Sequence, residues 1–567
     1  MVTTCNCKTV FQSIEFQTAM TKANPLRSQL AILLVLFALT LSAVEPIAGQ
    51  GQRERRASAP AQESQTAAQV TNGPRTVAEL QARITEITRK PELAPGFLGV
   101  KIASLDTGRV LFEASADKLL RPASNMKIYT VAAALDRLTP DFRFTTSVYA
   151  TEKPDKSGAV KGDLIIYGRG DPSIAARFYD GDYFKGINAL ADRIVAAGVK
   201  RIRGDLVGDE SYLSGPPLGS GWEWEDLQWW YGAEVSALTI NDNSLDLTVK
   251  PGAKIGAPCI VTTGPPAPFV SIVNRATTAA AGTPSALTVY RGPGENVLEL
   301  GGTMPLDDKG YTGGVAVPDP ALMFVSMLRA ALQQRGVAVA GRTRTVDGKN
   351  APSLVPSATP LVALNGTLSI ATTTSTPLIE ITALQSPPLS VIAAQTLKPS
   401  QNLYTELILR TLGKLKGIDP KQTNEQAGLE VVRSFLQQAG VNAGELALND
   451  GSGLSRNDMV TASTSLQLLT YMSRQPYFDV FRDALPIAGV DGTLRTRMRG
   501  TAAAGNLRAK TGSLSSVASL SGYVTSAAGE RLVFSMMLNN YRDASAVRRD
   551  SIDAIGVLLA SFAGKSQ

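Results

Sequence analysis

Three short runs in this chain hold residues able to do acyl-transfer chemistry. The first is Arg121-Pro-Ala-Ser-Asn-Met-Lys127, which leads into the apolar run Ile128 to Leu138. Pro122 and Ser124 are helix-starting residues, and Val131, Ala134, Leu135 and Leu138 recur at helical spacing, so Ser124 is expected in the first turn of a buried helix. Residues three apart share a helix face, so the Ser124 hydroxyl and the Lys127 amine can point at one spot, with the positive end of the helix behind them. A serine beside an amine is a potential nucleophile and base.

The 567-residue chain contains no histidine. That excludes a Ser-His-Asp triad, His-ligated zinc and a Cys-His pair, and no metal site or cofactor is expected. The base must be a lysine or a carboxylate, and a lysine near its ordinary pKa of about 10.4 is a poor base at neutral pH. Bringing it to ~7 takes roughly 4 kcal/mol, which burial plus a second cation a few ångströms away can supply.

The run Arg508-Ala-Lys-Thr-Gly-Ser513 offers that cation. It precedes two strand-like runs, Ala518 to Thr525 and Arg531 to Asn539, so Lys510 is expected on a strand with an antiparallel neighbour. Gly512 is expected to let a substrate backbone approach that strand. The remaining run is Lys398-Pro-Ser-Gln-Asn-Leu-Tyr-Thr-Glu406. Ser400 and Asn402 stand at the head of a helix expected over Leu403 to Leu412, stopping at Gly413. Taken alone, helix capping accounts for both. Glu406 shares a face with Asn402, and a solvated or structural role is expected for it.

Context separates these runs from look-alikes. Ser115-Ala-Asp-Lys118, Ser455-Arg-Asn457 and Lys156-Ser-Gly158 match or nearly match the same short patterns. Ser115 ends a strand with Pro122 too near for a helix to grow, Ser455 follows the turn Asp450-Gly-Ser-Gly453, and Lys156 lies in a polar loop.

The elements that must position these residues follow from periodicity. Val77, Leu80, Ile84 and Ile87 predict an amphipathic helix, and Phe97 to Leu105 with Val110 to Ala114 predict a hairpin around Asp106-Thr-Gly108. After Pro140 the texture changes to short β-like runs between Gly/Pro turns: Leu164 to Tyr167, Arg201 to Val207, Leu245 to Val249, Ala286 to Arg291 and Val297 to Leu300, with helices at Ile187 to Ala197 and Ala321 to Gln334. The first texture returns near Pro377, with a strand Leu378 to Leu384 and a last helix from about Ala544 to Phe562. The organisation expected is a signal region over 1–49, a linker over 50–75, a first body over 76–150 and 377–567, and a mainly β insertion over 151–376.

The signal region rests on Lys22 and Arg27 ahead of the apolar run Leu30 to Leu41, followed by small residues. That run is short for a membrane span, so export across the inner membrane to the periplasm, with no stable span in the mature form, is the expectation. Of three cysteines only Cys259 would remain, which leaves no intramolecular disulfide. A net charge of +7 favours an anionic setting such as a cell envelope. The basic residues are dispersed, without clusters interleaved by aromatics, which argues against nucleic acid.

Ser124-x-x-Lys127, Ser400-x-Asn402 and Lys510-Thr-Gly512 resemble the three motifs of the penicillin-recognising serine enzymes. The long gap between the first two, Ser400-Gln-Asn-Leu-Tyr-Thr-Glu406, Gly221-Trp-Glu-Trp-Glu-Asp226 and Asp450-Gly-Ser-Gly-Leu-Ser-Arg456 resemble one branch, the class C low-molecular-mass penicillin-binding proteins, which are D-alanyl-D-alanine carboxypeptidase/endopeptidases. One departure is Gln401, where family members often carry an acidic residue. The resemblance implies an α+β transpeptidase-like domain with helices flanking a five-stranded antiparallel sheet, interrupted by the insertion. It implies partners, too: peptidoglycan stem peptides and β-lactam antibiotics.

The resemblance also implies roles. Ser124 would attack the penultimate D-alanine carbonyl and Lys127 would take its proton. Ser400 and Lys510 would pass a proton to the leaving amine, and Asn402 would hold Lys127 and the substrate amide. The backbone N–H groups of Ser124 and Ser513 would form the oxyanion hole. Thr511, Ser513 and Arg456 would meet the terminal carboxylate, while Asp226 and Tyr231 would bind the polar end of a diaminopimelate-type side chain. Trp222, Trp224, Trp229 and Trp230 are expected to pack the insertion onto the first body. Two other readings share the sequence: a β-lactamase or esterase on the same scaffold, and a wall-binding protein without catalysis.

Overall fold

The computed structural model describes residues 73–266, 270–350, 352–355, 377–542 and 545–567. The expected signal region, and the expected linker apart from residues 73–75, lie outside them.

The first body is built on a five-stranded sheet in the order Arg508–Leu514, Val517–Thr525, Arg531–Asn539, Phe97–Ser104, Val110–Ala114, with every neighbouring pair antiparallel. Arg531–Asn539 is buried from Leu532 onward, as a central strand covered on both faces must be. Its side chains alternate as the pleat requires. Val533 and Met537 join the core beneath the helix Met126–Leu138. Leu532, Phe534, Met536 and Leu538 face the opposite core, which Leu80 and Ile84 of the helix Val77–Thr88 share with Ile555 and Leu559. The strand that carries Lys510 lies at one edge of this sheet and is buried from Ala509 to Gly512.

Two helices position the other two runs. In Met126–Leu138 eleven of 13 residues are buried, as expected of a helix apolar on nearly all sides. It packs against the helix Asn402–Lys416, whose residues Asn402 to Gly413 are all buried. Each buried Leu or Ile there contributes about 1.5–3 kcal/mol, against about 1 kcal/mol for a cap, so packing fixes the helix more firmly than its end does. The helix runs past Gly413, where a stop was expected. A Cβ at Gly413 would lie 1.9 Å from the Asn424 carbonyl oxygen, so this glycine lets the helix Asn424–Gln438 cross closely.

The insertion has its own five-stranded sheet, ordered Thr343–Val346, Leu206–Asp209, Leu164–Tyr167, Thr145–Ala150, Ile379–Gln385. Its first three strands pair in parallel and the last two antiparallel. Helices Lys185–Ala196 and Pro320–Gln334, the two expected within the insertion, cover it. Thr145–Ala150 and Ile379–Gln385, expected with the first body, pair with each other here. Smaller sheets, one joining Tyr311–Ala316, Ser244–Lys250 and Ile260–Gly264, enclose a separate core that includes Cys259.

Candidate active site

Ser124 lies in a 3-10 turn, Ala123–Asn125, immediately before the Met126–Leu138 helix. The turn is pinned from two sides. Ser519 on the second strand donates to the Pro122 carbonyl at 2.6 Å and accepts from Asn125. A Cβ at Gly512 would sit 2.2 Å from Ser519 Oγ and 2.5 Å from the Pro122 oxygen. Gly512 therefore lets the edge strand close onto the serine's own turn. This packing reason stands beside the expected one, backbone access for substrate.

Lys127 is fully buried and its Nζ donates to three acceptors: Ser124 Oγ at 2.9 Å, Asn402 Oδ1 at 2.6 Å and the Ser452 carbonyl at 2.7 Å. Burial pushes its pKa down from 10.5 to about 7, against the opposing pull of Asp450, Glu406 and Asp458. The expected causes were burial and a second cation. Here burial is the leading cause, and the neighbouring charges that act on Lys127 are carboxylates.

Lys510 Nζ donates to Ser400 Oγ at 2.9 Å and to the Thr511 carbonyl at 2.9 Å. Ser400 has φ +65, a left-handed conformation uncommon for a non-glycine residue and often found at functional sites. Neither Ser400 nor Asn402 caps the helix that follows. Gln401 does, its Oε1 accepting from Leu403 N–H at 3.1 Å, which frees its two neighbours. Asn402 spends its amide instead on Lys127 and, through Nδ2, on the Tyr231 carbonyl at 2.8 Å. The constellation thus holds two hydrogen-bonded groups, Ser124–Lys127–Asn402 and Ser400–Lys510, which the chain joins through Ser400-Gln-Asn402.

The remaining candidates divide. Ser513 lies exposed on the edge strand opposite Ala518. Thr511 is buried, its hydroxyl 2.7 Å from that of Thr493. Tyr231 reaches the constellation through its backbone carbonyl, and its ring stacks edge-on against Trp230. Arg456 makes a 2.5 Å ion pair with Glu223 of the insertion. Asp226 is close enough to Arg456 for that charge to oppose the upward push of burial on its carboxyl. Glu223, within the run Gly221-Trp-Glu-Trp-Glu-Asp226, was not among the expected site residues. Among the four tryptophans the packing expectation fails for Trp224, which is 64% exposed, while Trp222 donates to Asp450 at 2.8 Å.

Glu406 is fully buried; its Oε1 accepts from Gly451 N–H at 2.9 Å, and burial first, then Asp450 and Glu425, hold its carboxyl well above the usual range. It is structural in placement, not solvated. Among the described residues no cluster of metal-ligating side chains occurs, and no helix is long and apolar enough to cross a membrane.

A serine paired with a buried lysine at a helix start, a second serine held by a lysine on the edge strand, and an asparagine bridging from a third element define the class of penicillin-recognising serine enzymes. The chain matches the D-Ala-D-Ala carboxypeptidase 3 (S13) family over residues 80–364 and 359–562. It is 34% identical over 501 residues to the D-alanyl-D-alanine carboxypeptidase of Actinomadura sp. (strain R39), covering 86% of this chain and 85% of that protein. It is 26% identical to D-alanyl-D-alanine carboxypeptidase DacB of Haemophilus influenzae, covering 81% of this chain and 88% of the relative. The crystal structure of penicillin binding protein 4 (dacB) from Haemophilus influenzae shares the fold, with a TM-score of 0.67 at 23% identity over 83% of this chain and 98% of that one. The chain belongs to the S13 D-Ala-D-Ala carboxypeptidase family and is a serine-type peptidase, a hydrolase.

Proposed function

We propose that this enzyme cleaves the terminal D-Ala-D-Ala bond of peptidoglycan stem peptides in the periplasm, through an acyl-enzyme on Ser124. The observation that carries this reading is the contact between Lys127 Nζ and Ser124 Oγ at 2.9 Å, made by an amine held near a pKa of 7. At neutral pH about half of the molecules would carry a neutral amine. Along that line the amine takes the hydroxyl proton as Ser124 attacks the penultimate D-alanine carbonyl.

The backbone N–H groups of Ser124 and Ser513 face the developing oxyanion. Ser400 passes a proton to the departing D-alanine nitrogen and takes one from the Lys510 ammonium that donates to it. Asn402 keeps Lys127 in line and meets the substrate amide, and Thr511, Ser513 and Arg456 receive the terminal carboxylate. Water then releases the shortened peptide. A β-lactam presents a similar amide and carboxylate and would acylate the same hydroxyl. A related solved structure of penicillin binding protein 4 from Haemophilus influenzae is complexed with a β-lactam.

Asp226 and Tyr231 bind the polar end of the stem-peptide side chain, and the same site cleaves D-Ala-diaminopimelate cross-links. The catalytic body comprises 76–150 and 377–567 less the strands Thr145–Ala150 and Ile379–Gln385, which pair within the sheet of the specificity-bearing insertion. Products from defined, uncross-linked and cross-linked wall fragments, identified by mass spectrometry, test the assignment. Release of D-alanine is the expected result. Slow or absent peptide cleavage combined with rapid turnover of penicillin would make the enzyme a β-lactamase instead.

A further inference from the structure

The loop Asp450-Gly-Ser-Gly-Leu-Ser455 reaches the reacting groups through one atom, the Ser452 carbonyl that receives Lys127 Nζ at 2.7 Å. Asp450 holds that carbonyl in place. Its Oδ1 accepts from the backbone N–H of Ser452 at 3.1 Å and of Gly453 at 2.6 Å. Its Oδ2 accepts from Leu454 N–H at 3.1 Å, Ser455 N–H at 3.0 Å and Ser452 Oγ at 2.9 Å. A further donor comes from outside the loop, Trp222 Nε1 of the insertion at 2.8 Å. Asp450 itself is fully buried.

Close backbone approaches show that the loop is wedged between the insertion and the serine's turn. A Cβ at Gly221, beside Trp222, would lie 2.4 Å from Ser455 Oγ. A Cβ at Gly453 would lie 1.9 Å from the Ala123 carbonyl oxygen, next to Ser124. The insertion, the loop and the turn therefore pack as a stack.

We propose that Asp450 is a positioning residue for acylation, fixing the Ser452 carbonyl on Lys127 and, through Trp222, making the basicity of Lys127 answer to how the insertion docks. The inference rests on Lys127 being the base that activates Ser124. Three carboxylates act on that amine: Asp450, Glu406 and Asp458. Glu406 is flanked in turn by Glu425 and Arg410, and Asp458 is held well above the usual carboxylate range by burial and by Asp450. A hydrogen bond from Trp222 spreads the Asp450 charge. Losing the bond strengthens the field at Lys127, whereas losing the carboxylate weakens it, so the two substitutions push in opposite directions.

The test is the rate of acylation by a fluorescent penicillin, from about pH 5.5 to about 9, for the full-length wild type, Asp450→Asn and Trp222→Phe. Asp450→Asn is expected to lower the plateau and to move the acid limb to lower pH by about one unit. Trp222→Phe is expected to move the limb to higher pH by a smaller amount. A purely structural role would lower the rate at every pH with the limb unmoved, and that result overturns the proposal, as would shifts of both variants in one direction. Should Asp450→Asn fail to fold, an unmoved limb in folded Trp222→Phe overturns it alone. A wild-type enzyme that is acylated without any acid limb would instead refute Lys127 as the base, and the proposal with it.

Discussion

Asn402→Asp places a carboxylate where an amide oxygen now accepts from Lys127 Nζ at 2.6 Å. At an effective dielectric constant of about 20, unit charges that close attract by about 6 kcal/mol. The new carboxylate must itself be buried, and the donor to the Tyr231 carbonyl is lost; together these offset about half of the attraction. A net of about 3 kcal/mol corresponds to roughly two pH units, so the Lys127 pKa should rise from about 7 to around 9. The base works as the neutral amine, so its activity is gained as pH rises through that pKa and lost below it. At pH 7 the neutral fraction should fall from about one half to about one hundredth, a roughly 50-fold slower acylation that is largely recovered near pH 10. The assay is pre-steady-state penicillin acylation across that range, with Asn402→Ala as the uncharged control. A rate lost equally at all pH values would refute the claim that a buried amine of lowered pKa is the base.

Gly512→Ala should displace the edge strand from the turn that carries Ser124, because its Cβ would meet Ser519 Oγ and the Pro122 oxygen at 2.2 and 2.5 Å. Thermal unfolding should show a loss of about 1–3 kcal/mol, and acylation should fall at least tenfold, beyond any loss of folded protein. Asp226→Ala should lower kcat/KM for wall-derived peptides by about tenfold, the ~1.4 kcal/mol of one charge-assisted contact, while penicillin acylation barely changes. A parallel loss of both activities would assign Asp226 to the fold and withdraw its specificity role.

The parts of the site legible in the sequence are those set by local rules. A serine and a lysine three apart before an apolar helical run, and a lysine on an alternating strand, announce their geometry within a dozen residues. The structure places Ser124, Lys127 and Lys510 accordingly. What stayed hidden depends on approach across long chain distances. Gly413 looked like a helix stop because the Asn424–Gln438 crossing that requires it is a tertiary event. The capping of Ser400-Gln-Asn402 fell to Gln401, a residue type that rarely takes that place. Asp450 looked like a turn residue, and its bond to Trp222 joins positions 228 residues apart. The lowered pKa of Lys127 was anticipated, but burial, which leads its causes, is a property of the assembled core.

The central claim is that Ser124 carries the acyl group. Penicillin-treated protein, digested and mapped by mass spectrometry, tests it directly, with Ser124→Ala run in parallel. The account predicts one adduct per chain on the peptide containing Ser124, and none in a folded Ser124→Ala protein. An adduct on Ser115 or Ser400, or labelling that persists in the variant, would contradict it.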